Sequence, residues 1–476
     1  MVRLSTALAA ALPASAAAET VLGAYIFSRH GDRTAKKTPP TGLTNLGYQQ
    51  VHDSGNYYSS RYVAADSQYH ILGLNSSTVK LSQLAVSAPA DGVLQNSASA
   101  FLQGLYPPVG ANASAQTLAN GTSVDAPLDG FQLIPIAAIS SNAGSEDTTW
   151  LQDATGCANA ETSSNQYFYS AEYEALLAST MDFYQRLYPV VNQTFSMKDM
   201  SFKNAYSIYD LINVAEIHNA TIQSNDLVTA SEDTFHQLLT LANSHEFGLA
   251  YNQSSPIRGV AGMQLAAEIV DFLNGTIAGA GKQKLGIQFG AYGTFLSFFG
   301  LSQLAGHADG DNFYGIADYA ATMTFELYTD ADVSTYPTTA DDVRVRFMYN
   351  NGTTTVAQAP TVYPLFGQQS LNLSWADFAG NMSAFSIGST EHWCSACGNS
   401  TGVCAPFSAT AAASSSSSGN GNGLSPAVNG VIGAMVTLAV ILLIEGLIVL
   451  VGGLRIVRKK DLRSSPGSSL SGPAKA

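Results

Sequence analysis

Residues 21–28 (VLGAYIFS) form an uninterrupted apolar run that stops at Arg29-His30-Gly31-Asp32-Arg33. A run this short, without polar alternation, suits a strand covered on both faces. Strands of that kind belong to sheets sandwiched between helices. The chain is therefore predicted to fold as an α/β protein with a mixed sheet flanked by helices. The run also sets a histidine between two arginines just past the end of a strand. That is where the crevice of an α/β sheet takes ligands.

The rest of the chain fits this frame. Residues 43–63 read as helical in their first half, after the Pro39-Pro40-Thr41-Gly42 turn. Residues 97–105 read as a helix stopped by Pro107-Pro108. Tyr173, Leu176, Leu177, Met181, Tyr184 and Leu187 recur at spacings of three and four, as do Phe235, Leu238, Leu239 and Ala242. A helical cap inserted at about 150–255 is expected from these stripes. Strand character returns at 285–289, 319–328 and 343–349. These strands are expected to complete the sheet begun by the first.

The ends have a different character. Arg3, the apolar residues 4–12 and small residues near Ala18 read as a signal peptide over 1–18. An ectodomain over 19–405 is followed by a Ser/Gly-rich stalk at 406–428. Residues 429–454 are apolar and long enough for a transmembrane helix, which needs about 20 residues. Arg455, Arg458, Lys459, Lys460 and Arg463 mark 455–476 as a cytoplasmic tail. The expected topology is single-pass type I at the cell membrane, with the ectodomain outside.

Between leader and apolar run, 14 basic residues face 33 acidic ones. That balance excludes nucleic acid as a partner. It also disfavours a broad basic groove for a highly phosphorylated substrate. Charged residues are only 12% of the chain. Eleven Asn-X-Ser/Thr sequons, at Asn75, Asn112, Asn120, Asn192, Asn219, Asn252, Asn274, Asn351, Asn372, Asn381 and Asn399, point to glycans as the solubilising groups. Cys157, Cys394, Cys397 and Cys404 are disulfide candidates with three possible pairings. Cys394-Ser-Ala-Cys397 has no second CxxC to complete a metal site, so structural bridging is expected.

The chemistry is concentrated at residues 29–33. Neutral imidazole can attack phosphorus and carry it covalently. Guanidinium groups hold phosphoryl oxygens through paired hydrogen bonds. A small phosphorylated substrate or anion is the expected partner, bound by Arg29 and Arg33 with His30 as nucleophile. Gly31 is read as allowing close backbone approach to that ligand. No cofactor and no metal site is expected. His52, His70, His218, His236 and His245 show no catalytic spacing and read as structural or surface residues.

This stretch resembles the RHGxRxP signature of the histidine acid phosphatases, the branch of the histidine phosphatase superfamily that includes phytases. Leu43-Thr44, Gly47, Gln50, Gly55 and Arg61-Tyr62-Val63 resemble that family's next helix. Residues 97–108, 257–269 and 325–328 resemble later segments. The resemblance implies an α/β core with a helical cap and acid phosphomonoester hydrolysis through His30.

The chain also departs from the family pattern. Ala35 replaces the signature's proline. Val93 stands where the family has a third phosphate-binding arginine. Ala291 and Tyr292 stand where it has a His-Asp pair. Each missing donor to the transferring phosphoryl group costs about 100–1000-fold. A missing acid costs about 100–10,000-fold. Groups available to substitute are Tyr292, Glu391 with His392, and His307 with Asp309, with Lys36 and Lys37 at the pocket rim. Three outcomes are open: a phosphatase of reduced activity, an inactive anion-binding pseudophosphatase at the cell surface, or a glycosylated wall or adhesion protein with a relict pocket.

Overall fold

The computed structural model describes residues 19–139, 156–229, 232–306, 310–337 and 339–408. The expected leader and membrane run lie outside them, as do His307, Asp309 and most of the stalk. Among the described residues no helix is long and apolar enough to cross a membrane.

Among the described residues ten strands occur: β1 (Thr20–Arg29), β2 (Leu84–Ala88), β3 (Gln116–Thr117), β4 (Ser123–Val124), β5 (Ala137–Ala138), β6 (Leu285–Gly290), β7 (Thr322–Thr329), β8 (Arg344–Asn350), β9 (Thr361–Tyr363) and β10 (Leu373–Ser374). The main sheet runs β10-β8-β7-β1-β6-β2-β5, with β9 beside β8. The apolar run is the middle strand. It pairs parallel with β6 and antiparallel with β7, so the sheet is mixed. β2 was not anticipated. At five residues of Leu, Ala, Val and Ser it carries too little pattern to be told from a loop.

Both faces of β1 are covered, as its lack of alternation requires. Ala24 and Ile26 join a core with Ile287, Phe289 and the helices Asn45–Tyr58 and Gly92–Leu105. Those helices approach closely, because Gly55 and Gly104 each leave no room for a Cβ against the other helix's backbone. Tyr25 and Phe27 point into a second core with Leu265, Ile269, Phe295, Phe298 and Phe325. The helix expected at 97–105 begins earlier, at Gly92, because the Asp91 carboxylate accepts from the Val93 and Leu94 amides.

Helices fill much of the stretch from Ala158 to Ala250. They bury a hydrophobic cluster of their own, including Tyr173, Tyr184, Phe202, Ile208, Ile212 and Leu238. The stripe from Tyr173 to Leu187 is broken into Ala171–Ser179 and Met181–Arg186. The Thr180 hydroxyl donates back to the Leu176 carbonyl at 2.6 Å, a bond that bends helices. Two disulfides form, Cys157–Cys397 and Cys394–Cys404, and both are structural.

Glu326, fully buried on β7, is the charged anchor of the sheet. It accepts from Arg61 Nη2 at 2.9 Å, Tyr62 OH at 2.7 Å and Arg346 Nε at 2.5 Å. Burial, then the Glu326 charge, holds the Tyr62 phenol well above its usual value, so it stays a donor. Glu326→Ala leaves the largely buried Arg61 guanidinium without its carboxylate, while Arg346 keeps Glu19. It is expected to cost about 3–5 kcal/mol in chemical denaturation. A loss below about 1 kcal/mol would show that the cluster is not an anchor.

Candidate functional site

The site forms where β1 ends. Arg29 pairs with Gly290, the last residue of β6, which brings the loop at His30 beside Ala291 and Tyr292. His30 is fully buried. Its Nδ1 lies 2.8 Å from the Gly31 carbonyl oxygen. A carbonyl can only accept, so Nδ1 carries a hydrogen, and in the neutral ring the lone pair is then on Nε2. The His30 carbonyl accepts from the Ala320 amide at 2.9 Å. Ala320 adopts a left-handed backbone (φ 60°), an arrangement that costs a residue with a Cβ about 1–2 kcal/mol.

Gly31 is needed for a reason other than the one inferred from the sequence. A Cβ there would meet the Gly47 carbonyl oxygen at 2.1 Å, and one on Gly47 would meet the Asp32 oxygen at 2.0 Å. The close approach is to the helix Asn45–Tyr58. Ser97 completes the seat by accepting from the Gly31 amide at 3.3 Å.

The two arginines differ. The Arg29 guanidinium donates to the Ala317 carbonyl and lies 4.6 Å from the Tyr319 ring and 5.4 Å from the Tyr292 ring. Its Nε is buried without a hydrogen-bond partner. Arg33 is held by the helical lobe: Nη1 is 3.0 Å from Asp210 Oδ1, and Nη2 donates to Tyr206 OH at 3.0 Å. The Lys36 amide donates to the same carboxylate at 2.9 Å.

The other expected residues divide. Lys36 Nζ sits 5.1 Å from the Tyr206 ring and 5.8 Å from the Tyr292 ring, at the site's edge. Lys37 turns to Phe195 instead. Val93 lies one turn before Ser97 on the same helix and is buried, with no charge to offer. Ala291 caps the helix Tyr292–Leu301 without a side-chain bond. Glu391 and His392 are exposed on Thr390–Cys397, and no described contact joins either to residues 29–33. That helix is clasped by Cys397 to Cys157, which begins the helix Ala158–Gln166. A cavity of about 1080 Å³ opens over β2 and β6, lined among others by Tyr25, Glu268 and Trp393. His30 is not one of its walls.

Two histidines read as structural or surface residues touch the site. His218 Nε2 is 2.6 Å from Asp32 Oδ2, and Thr44 bonds the same oxygen. Asp32 is fully buried, whereas His218 is 39% exposed. His245 Nδ1 is 2.7 Å from Glu246 Oε1, and Glu246 Oε2 is 2.8 Å from Tyr292 OH. Burial, then the Glu246 charge, holds the Tyr292 phenol well above its usual value. Tyr319 is pushed up to about 12, chiefly by burial. Both phenols stay protonated through the physiological range.

A buried histidine flanked in sequence by two arginines, at the carboxyl end of the central strand β1 and beside Asp210 and Tyr206 of the helical lobe, suits oxyanion or phosphoryl chemistry. The sequence profile of the histidine phosphatase superfamily (branch 2) matches residues 38–350, and the chain belongs to that family. The matched span begins after residues 29–33, so the nucleophile assignment rests on the motif and its geometry. Similar solved structures include the phytases of Citrobacter braakii (15% identity, TM-score 0.52, 77% of this chain and 98% of that one) and Klebsiella sp. ASR1 (12%, 0.53, 78% and 96%). Apo Hafnia alvei phytase is similar at 14% identity and TM-score 0.51, covering 81% and 99%. At these identities the likeness is one of fold. No curated protein matches the chain.

The Arg33–Asp210 pair yields a prediction. Asp210→Ala takes a carboxylate away from a buried guanidinium and is expected to cost about 3–5 kcal/mol in phosphate-free buffer. Millimolar phosphate should restore part of the lost melting temperature by replacing the carboxylate with an oxyanion. Absence of any recovery would mean that Arg33 does not belong to an anion site.

Proposed function

We propose that the chain is an acid phosphomonoesterase that forms a phosphohistidine on Nε2 of His30. The observation that carries this reading is the Nδ1 contact to the Gly31 carbonyl, which fixes the ring with its lone pair on the nucleophilic nitrogen. Arg29, with a buried Nε that makes no hydrogen bond, and Arg33 supply the positive charge that a phosphoryl group requires. The acidic balance favours a small monoester over a highly phosphorylated substrate. Turnover is slow, because neither Val93 nor Ala291 carries a donor.

The leader, apolar run and basic tail support display outside the cell on a single membrane span. None of the eleven sequon asparagines is buried, which fits a glycosylated surface.

A second reading is an anion-binding pseudophosphatase. It is favoured by one observation: Arg33 already spends its donors on Asp210, Tyr206 and the Thr34 carbonyl.

The full-length protein in detergent should hydrolyse aryl phosphates between about pH 3 and pH 7, the range over which carboxylates and histidine titrate. His30→Ala should abolish that activity. Hydrolysis that survives this substitution rules out the phosphohistidine. Phosphate binding without hydrolysis selects the second reading.

A further inference from the structure

We infer that Tyr292 and Glu246 together replace the missing acid, with Tyr292 delivering a proton to the leaving oxygen and Glu246 resupplying it. The inference rests on His30 acting as a phosphoryl acceptor, as proposed above.

Tyr292 is placed for this role by the sheet. It follows β6 by two residues, beside the end of β1, and its ring faces the Arg29 guanidinium at 5.4 Å. Lys36 approaches the same ring from the edge of the site. An anionic ester held by Arg29 would therefore meet Tyr292. Alone, a phenol makes a poor acid, since its reference pKa is near 10 and burial raises it here. Coupled to a carboxyl group it need not end the step ionised.

Glu246 provides that coupling from the helix Glu232–Ala250, its Oε2 2.8 Å from the phenol oxygen. Its other oxygen, Oε1, lies 2.7 Å from His245 Nδ1. The His245 ring is wedged among Tyr167, Phe168, Tyr173 and Phe202 and cannot readily turn away. With Nδ1–H donating to Oε1, the acid form of Glu246 carries its proton on Oε2, the oxygen facing Tyr292. His245 is thus a positioning residue, and so is Glu246, which acts through the phenol.

The step balances. Nε2 of His30 forms a bond to phosphorus as the bond from phosphorus to the ester oxygen breaks. The released electron pair stays on the leaving oxygen, which takes the Tyr292 proton. The Glu246 proton moves to the Tyr292 oxygen, leaving a neutral phenol and a carboxylate. When water later attacks the phosphohistidine, its proton returns along the same path and the P–N bond electrons return to His30.

The experiment uses the full-length protein and a series of phosphate monoesters, from p-nitrophenyl phosphate to alkyl phosphates. A relay matters most for poor leaving groups, which cannot depart as anions. Glu246→Gln and Tyr292→Phe should each lower kcat for alkyl phosphates by about 100-fold or more. They should lower it by less than about tenfold for p-nitrophenyl phosphate. Glu246→Asp should recover part of the alkyl activity. Equal losses across the series, with an unchanged melting temperature, mean that the pair only shapes the site and overturn the relay. A leaving-group split seen instead in His218→Gln or Asp309→Asn also overturns it and reassigns the acid. A wild-type protein without His30-dependent hydrolysis of any ester sinks the phosphatase reading, and the relay with it.

Discussion

The ion pair between Arg33 and Asp210 is the contact on which the site depends. One partner lies three residues past His30 and the other in the helical lobe, 177 residues away in sequence. Both are almost fully buried. A buried charge left alone is strongly unfavourable, so neither surface can part from the other cheaply. The pair brings Tyr206 with it, and Tyr206 lies against Tyr292 with ring centroids 4.9 Å apart. The lobe is thereby registered on the carboxyl end of the sheet, and the roof over His30 follows.

That registration has a chemical price. Arg33 cannot offer all its donors to a ligand while Asp210 and Tyr206 hold them. A site with three arginines and a His-Asp pair can use one arginine structurally and keep enough charge for phosphate. Here the position of Val93 has no charge and that of Ala291 no donor. The balance between a working and a silent site turns on whether an incoming oxyanion competes successfully with a carboxylate already in place.

Much of this was legible from local pattern. The central strand showed itself because a doubly covered strand needs no polar face, and the motif showed itself because its residues are contiguous. The helical lobe was visible from spacing, although Thr180 splits one of its helices. The partners of the site were not visible. Asp210, Glu246 and His218 reach it from the helical lobe, and nothing near them in sequence marks the contact. One signal was available: Asp210 is the lone charge between Ala205 and Ala215, on a helix that buries Ile208 and Ile212. A carboxylate in such company requires a cation, and Arg33 is that cation. Glu391 and His392 attracted notice as a pair, yet they sit on a helix whose covalent ties lead elsewhere.

Those ties govern how the protein bears load. Cys404 is bridged to Cys394, and three residues on Cys397 is bridged to Cys157. A pull entering the chain from beyond Ser408 therefore meets two covalent clasps in succession. The force is handed to the threshold of the helical lobe before it can peel any strand from the sheet. Mechanical strain applied at the carboxyl end thus reaches the helical lobe through Cys157 without first passing along the edge strand β10.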